Sequence, residues 1–355
     1  MKIVVGMSGG VDSAVAAHLL KEEGHDVTGV FMNNWAEPDD GFCRAEQDFN
    51  DVKRICGALN IPYYSVNFSK EYYGRVFRHF LDEYAAGRTP NPDVLCNREI
   101  KFGTFAAFAR GLGAERIATG HYAGVEYSDG RYRLIRAADE CKDQTYFLNQ
   151  LSQEQLAYAI FPLANLKKDQ VRQIARARGI PVYAKKDSTG ICFIGERKFK
   201  EFLENYLPAQ PGDVMDEAGK VLGRHDGLMY YTLGQRRGLN IGGVSGSEGR
   251  WFVLGKDLAS NSLTVSCRES EALYSSGLTC AAFNFIEGAL EQGEYRLQAR
   301  LRHRQPLFGV TAAIQGNSVT LRYTPKQRAA TPGQYAALYN GKYCLGGGII
   351  TKTYP

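Results

Sequence analysis

Met1-Lys2-Ile3-Val4-Val5-Gly6-Met7-Ser8-Gly9-Gly10-Val11-Asp12-Ser13 opens the chain. The apolar run Lys2–Gly6 reads as a strand. A helix follows from about Ser13 to Glu23 and stops at Gly24. The turn between them, Ser8-Gly9-Gly10-Val11-Asp12-Ser13, is not Walker A, because no Gly-Lys-Ser/Thr follows, and it is not G-x-G-x-x-G. Adjacent glycines let a backbone approach an anion closely, and a helix start supplies free N–H groups. Ser8 and Ser13 add hydroxyls. Asp12 would repel a bare phosphate, so a Mg²⁺ bridge is the natural way to reconcile it with one. The same residues also suit an ordinary corner with Ser and Asp as cap residues. The full hexapeptide directly after an N-terminal strand favours phosphate binding.

Moving outward, Val27–Met32 is a second strand, and Phe49, Val52, Ile55, Cys56 and Leu59 recur at helical spacing. Tyr63–Phe68 is a third strand. Tyr73, Val76, Phe77, Phe80, Leu81 and Tyr84 mark an amphipathic helix, and Arg116–Thr119 is a strand ending at Gly120-His121. This rhythm predicts an α/β fold with a doubly wound parallel sheet. Ligands of such sheets lie beyond the C-terminal strand ends, where Gly6–Ser13 and Gly120-His121 fall. Val125–Arg136 interrupts the pattern as a hairpin turning at Asp129-Gly130. Helical patterns return over Gln144–Leu151, Lys167–Arg178 and Arg197–Tyr206.

After Pro208 the texture changes to short strand-like runs between Gly, Asp, Asn and Ser turns. Leu297–Arg302, Gly309–Ile314, Ser318–Tyr323, Tyr335–Tyr339 and Leu345–Thr351 read as barrel or sandwich strands. The expected division is a catalytic domain at 1–206, a small β-rich domain at 207–268 and a basic β-barrel at 269–355.

With 355 residues, a charged fraction of 23% and a hydrophobic fraction of 44%, the chain is ordinary for globular proteins. No run approaches the roughly 20 apolar residues of a membrane span. The first residues are too short for a signal segment, so a cytoplasmic protein is expected. The net charge is +5. Nine Lys and Arg against two Asp and Glu between Glu291 and Pro355 give that stretch +7, leaving −2 for the other 290 residues. The excess positive charge thus sits in the C-terminal fifth, which suits a grip on a nucleic-acid backbone. Alternation would put Arg300, Arg302 and Arg304 on one strand face.

The eight cysteines form no C-x-x-C pair, which argues against zinc ribbons and thioredoxin-type motifs. Two of them stand in unusual surroundings. In Thr89-Pro90-Asn91-Pro92-Asp93-Val94-Leu95-Cys96-Asn97, Asn91 suits a helix N-cap and Pro92 the first helical position. Asp93 and Cys96, three apart, would share a face. The helix start favours a thiolate at Cys96, and Asp93 opposes it unless protonated and serving as a proton donor. A buried cysteine with a capping Asp fits as well. Cys192, in Asp187-Ser188-Thr189-Gly190-Ile191-Cys192-Phe193-Ile194-Gly195, reads either as a core residue or as a thiol on a glycine-hinged apolar loop that would shelter a persulfide. The other six are expected to be packing.

The first of these motifs resembles the PP-loop of the ATP pyrophosphatase superfamily. Together, Gly6–Ser13, Thr89–Phe102, Asp187–Lys198, Tyr231–Gly243 and Thr331–Gln334 resemble the tRNA-specific 2-thiouridylase family, over nearly the whole chain. The resemblance implies an ATP- and Mg²⁺-dependent enzyme that adenylates the C2 oxygen of the wobble uridine of tRNA and replaces it with persulfide sulfur. It implies that Cys192 carries the persulfide, delivered by a donor protein or cysteine desulfurase relay. Cys96 would form a transient disulfide with it, and Asp93 would act as general acid/base. Gly6, Met7, Ser8, Gly9, Gly10, Val11, Asp12 and Ser13, with Met32 and Gly120, would hold ATP. Asn91, Pro92, Asp93, His121, Lys142, Asp143, Gln144, Arg302, His303 and Gln334 would touch tRNA. Two departures stand out: His303 where the family often has Tyr, and Asn240 where Gly is common. Three rival readings are a PP-loop ligase that needs no cysteine pair, an iron–sulfur cluster on Cys96, Cys192 and Asp93, and an RNA-binding adaptor with a dead nucleotide site.

Overall fold

The computed structural model describes residues 1–35, 44–186, 199–239, 241 and 251–355. Cys43, Cys192 with its whole Asp187–Gly195 motif, Asn240 and the glycines at 242, 243, 246 and 249 lie outside the described residues. Five parallel strands form the first sheet, in the order β3-β2-β1-β4-β7: β1 (Lys2–Met7), β2 (Asp26–Asn33), β3 (Tyr63–Asn67), β4 (Arg116–Ala118) and β7 (Ala159–Ile160). Ile3, Val4 and Val5 are fully buried, as a central strand covered on both faces requires. The helix after β1 starts at Val11, two residues before the expected Ser13. Three of its eight buried residues are alanines, Ala14, Ala16 and Ala17.

The chain from Pro92 to Gly111 is one helical run. It is α-helical over Pro92–Leu95, under-wound to a π-helix over Cys96–Thr104, and α-helical again over Phe105–Gly111. Such local π geometry is frequent at functional sites.

The hairpin β5 (Ala123–Ser128) and β6 (Arg131–Arg136) turns at Asp129-Gly130, both with positive φ, as expected. Its destination was not expected: β6 pairs with the last strand of the C-terminal sheet. The middle region holds a four-stranded sheet, β10-β11-β8-β9, from β8 (Gly212–Met215), β9 (Val221–His225), β10 (Phe252–Asp257) and β11 (Ser262–Ser266). The C-terminal strands are β12 (Tyr274–Phe285), β13 (Gly293–Arg300), β14 (Phe308–Gln315), β15 (Ser318–Arg328), β16 (Tyr335–Asn340) and β17 (Tyr343–Tyr354). They pair in the order β12-β15-β14-β13-β16-β17, and β12 pairs with β17 to close a barrel. The sequence reading missed β12.

Catalytic and barrel regions share one core. Phe77, Phe80, Ile100 and Tyr146 are buried in the same cluster as Tyr335, Tyr339 and Cys344. Trp35 packs against Phe77 and Phe202.

Candidate active site

The loop after β1 is shaped by close backbone contacts. Gly9 has φ +72°, and a Cβ there would stand 2.6 Å from the Asp48 carbonyl oxygen. A Cβ on Gly120 would stand 2.6 Å from Ser13 N, so the end of β4 packs directly on the start of the helix. A Cβ on Gly6 would lie 3.2 Å from Met32 Cε, which brings together two residues expected to hold ATP. The serine hydroxyls close the loop on itself: Ser8 N–H donates to Ser13 Oγ (3.2 Å), and Ser13 Oγ donates to the Gly10 carbonyl (3.1 Å).

Asp12 has partners within the chain. Lys168 Nζ donates to both of its carboxylate oxygens at 2.7 and 2.8 Å, and Tyr122 OH donates to one at 2.8 Å. Among the described residues no cluster of three His, Cys, Asp or Glu side chains could hold an ion. The carboxylate expected to meet a phosphate through Mg²⁺ is thus paired with a lysine and a tyrosine in this structure. A second lysine braces the loop: Lys185 Nζ donates to Gly9 O (3.1 Å), Asp48 (2.8 Å) and Asp51 (2.7 Å). Sequence reasoning missed both lysines. Lys168 carried a signal: a lysine at the first position of a helix opposes the helix dipole and calls for an acidic partner.

Cys96, 2% exposed, begins the π-helical stretch. Burial pushes the Asp93 carboxyl above its ordinary range, while the Lys101 ammonium pulls the other way. The same Lys101 acts on His121, whose burial holds it neutral, well below the usual histidine range. His121 Nδ1 lies 2.7 Å from Thr119 Oγ1. One environment therefore contains Asp93, Lys101 and His121. Asn91 stands at the N-cap position, as expected, but its side chain does not cap the helix. Its amide N–H donates instead to Gln334 Oε1 at 3.3 Å.

Several expected RNA contacts are engaged inside the protein. Asp143, 1% exposed, accepts from Arg300 (2.7 Å), Thr145 Oγ1 and the Ala137 N–H. Arg300 is itself 3% exposed and ends β13, so the expected face of three arginines does not form. Arg302 Nη2 donates to Ala329 O and Thr331 Oγ1. Gln334 Nε2 donates to the Thr89 and Pro90 carbonyls. Within the chain, these are the partners of Asp143 and Gln334. Gln144 Oε1 accepts from the Tyr122 N–H. Lys142 is half-buried, and Arg304 is exposed. His303 lies against Phe147 (centroids 4.5 Å apart), with its pKa lowered by burial to about 4. The basic turn Gly234–Gly238 lies beside Phe252, over which Arg236 and Arg328 both sit. Of the six cysteines read as packing, Cys56, Cys280 and Cys344 are buried, but Cys141 is exposed and Cys267 half-buried.

Comparison with known proteins adds three family matches: a tRNA methyl transferase HUP domain at residues 1–196, a tRNA methyl transferase PRC-barrel domain at 200–267 and an aminomethyltransferase beta-barrel domain at 275–350. The chain is 55% identical to the tRNA-specific 2-thiouridylase MnmA of Alkaliphilus oremlandii, covering 99% of this chain and 97% of that protein. It is 54% identical to the tRNA-specific 2-thiouridylase MnmA 2 of Geobacillus kaustophilus, covering 99% and 95%. Among solved structures, the U34-tRNA thiolase NcsA of Methanococcus maripaludis aligns over 58% of this chain and 65% of its own at 21% identity, with a TM-score of 0.36, too low to carry an argument.

Proposed function

The chain belongs to the tRNA-specific 2-thiouridylase family, and on that premise we propose that it thiolates C2 of the wobble uridine of tRNA in the cytoplasm, as a transferase of sulfur-containing groups. The observation that carries the reading is the pairing of a phosphate loop with a buried thiol and an acid of raised pKa at the start of one helix. Methyl transfer, which two of the family descriptions mention, has no use for a phosphate loop beside that thiol–acid pair; activation followed by sulfur substitution uses every part of it.

In this reading Gly6–Ser13, Met32 and Gly120 bind ATP, and the uridine C2 oxygen attacks the α-phosphorus. Pyrophosphate leaves, and the oxygen becomes part of an AMP ester, a far better leaving group. The terminal sulfur of a persulfide on Cys192 then bonds to C2, and AMP departs. The Cys96 thiolate attacks Cys192 Sγ and breaks the S–S bond. A Cys96–Cys192 disulfide forms, the electron pair stays with the sulfur on the base, and a thiol reductant later restores both cysteines. Asp93, whose carboxyl burial pushes above its ordinary range, donates and accepts protons at the base. Asn91, Pro92 and His121 frame the uridine, which must leave its stack to enter. Lys142, Gln144, Arg302 and His303 face the rest of the tRNA. The persulfide reaches Cys192 from a donor protein or desulfurase relay, and Mg²⁺ accompanies the nucleotide.

The test is nucleoside mass spectrometry of unmodified tRNA incubated with the protein, ATP, Mg²⁺ and a persulfide donor. The expected product is 2-thiouridine, with AMP and pyrophosphate released in equal amounts. Loss of turnover in Cys96→Ala and Cys192→Ala is expected too. Full turnover in either variant, or no 2-thiouridine with any of several donors, overturns the reading.

A further inference from the structure

The loop that delivers Asn91, Pro92 and Asp93 to the catalytic helix is not held by its own domain alone. Thr89 N–H donates to the Pro332 carbonyl (3.1 Å). Gln334 Nε2 donates to Thr89 O (2.8 Å) and Pro90 O (3.0 Å), and Gln334 Oε1 accepts from Asn91 Nδ2 (3.3 Å). Gly333 has φ +92°, and a Cβ there would stand 3.0 Å from both Thr89 N and Thr89 O. The barrel therefore reaches the loop through three consecutive residues, Pro332 to Gln334. From the other side, the middle region supplies Thr232 Oγ1, 3.2 Å from Thr89 Oγ1, and Lys256 Nζ, which donates to Gly87 O at 3.0 Å. Arg302 in turn ties down the 329–331 turn that leads into Gln334.

We infer that Gln334 is a positioning residue for the thiolation reaction: it fixes the Thr89–Asn91 loop, and through it Asp93 and Cys96, so that the barrel sets the geometry of the catalytic helix. The inference rests on the thiolation reading above. A side chain whose amide donates to two carbonyls and accepts from a third residue is chosen for loop geometry. Displacing a reacting group by even an ångström can cost about a hundredfold in rate. A residue contacting RNA would act differently, on affinity and its salt dependence.

Two full-length variants separate the roles. Gln334→Glu replaces the donor by a carboxylate oxygen facing two carbonyls and releases the loop. Gly333→Ala pushes on Thr89 without adding or removing any polar group that RNA could recognise. In both, the single-turnover thiolation rate at saturating tRNA and ATP is expected to fall roughly tenfold to a hundredfold. The tRNA Kd and its salt slope should stay within about twofold of the parent. Amide hydrogen exchange over residues 93–96 should accelerate. A rise of about tenfold or more in Kd, with an unchanged rate at saturation, overturns the inference and makes Gln334 an RNA contact. If the parent protein itself forms no 2-thiouridine, the thiolation reading is what fails. The clamp is then judged by exchange alone, and unchanged protection of residues 93–96 overturns it.

Discussion

Asp93 and Lys101 sit one above the other in the chemistry: burial favours the neutral carboxyl, and the ammonium two turns on opposes it. A general acid must be protonated to act, so the thiolation rate should fall as pH rises through the folded pKa of Asp93, at a pH above the ordinary carboxylate range. Lys101→Met removes the opposing charge and should move that limb to higher pH; a pH profile of single-turnover rates with the limb unmoved or lowered would count against the assignment. The same shift acts on folding. The folded pKa lies above the unfolded value of about 3.9, so the stability contributed by this proton is complete below that value and is lost as pH rises through the folded pKa. Asp93→Asn should therefore abolish turnover without lowering Tm at pH 8. Asp93 and Cys96 were legible because Asn-Pro-Asp-x-x-Cys is local chemistry on one helix start. The partners of Lys168 and Gln334 were not, because they lie 156 and about 245 residues away along the chain.

The strand–turn–helix unit after β1 was read correctly in kind because strand and helix periods differ and the glycines mark the change. What the sequence could not convey was what presses on the turn. Gly120 and Gly9 are there because backbone atoms of the helix start and of Asp48 fill the space where a Cβ would go. Gly120→Ala must displace Ser13 and Asp12, since the obstructing atoms are backbone and cannot rotate away. The expected result is an ATP KM raised by about tenfold or more with the tRNA Kd unchanged, read by steady-state kinetics and equilibrium binding; an unaltered ATP KM would sink this account of the loop. The helix from Pro92 was likewise expected, but not its π-helical stretch. Asn97, Ile100 and Phe102 are buried along that stretch, a tertiary environment that no local pattern encodes.

Across the whole molecule, the charge arithmetic needed the fold to complete it. The +7 of the C-terminal stretch is partly matched by acids from outside that window: Asp143 pairs with Arg300, Glu126 with Lys342, Glu269 with Arg328 and Glu271 with Lys326. The Asp143–Arg300 pair is buried and spans the catalytic and barrel regions. Arg300→Met should cost about 3–5 kcal/mol by stranding a buried carboxylate, and the double change with Asp143→Leu should recover most of it. Thermal unfolding checks this, and a double variant no more stable than the single one would contradict it. Arg304, by contrast, is exposed, and Arg304→Ser should lower the salt slope of tRNA binding by about one with Tm unchanged. The sheet that joins β6 to β17 has a consequence for synthesis. The hairpin at 123–136 is made early, but its partner at Tyr343-Cys344 follows about 200 residues later, which at ribosomal speeds is some 10–40 s. During that time a nascent chain carries an open strand edge, exposed to neighbours on the same polysome. A barrel grafted from a relative would inherit the same requirement: it must bring a last strand that fits this particular hairpin.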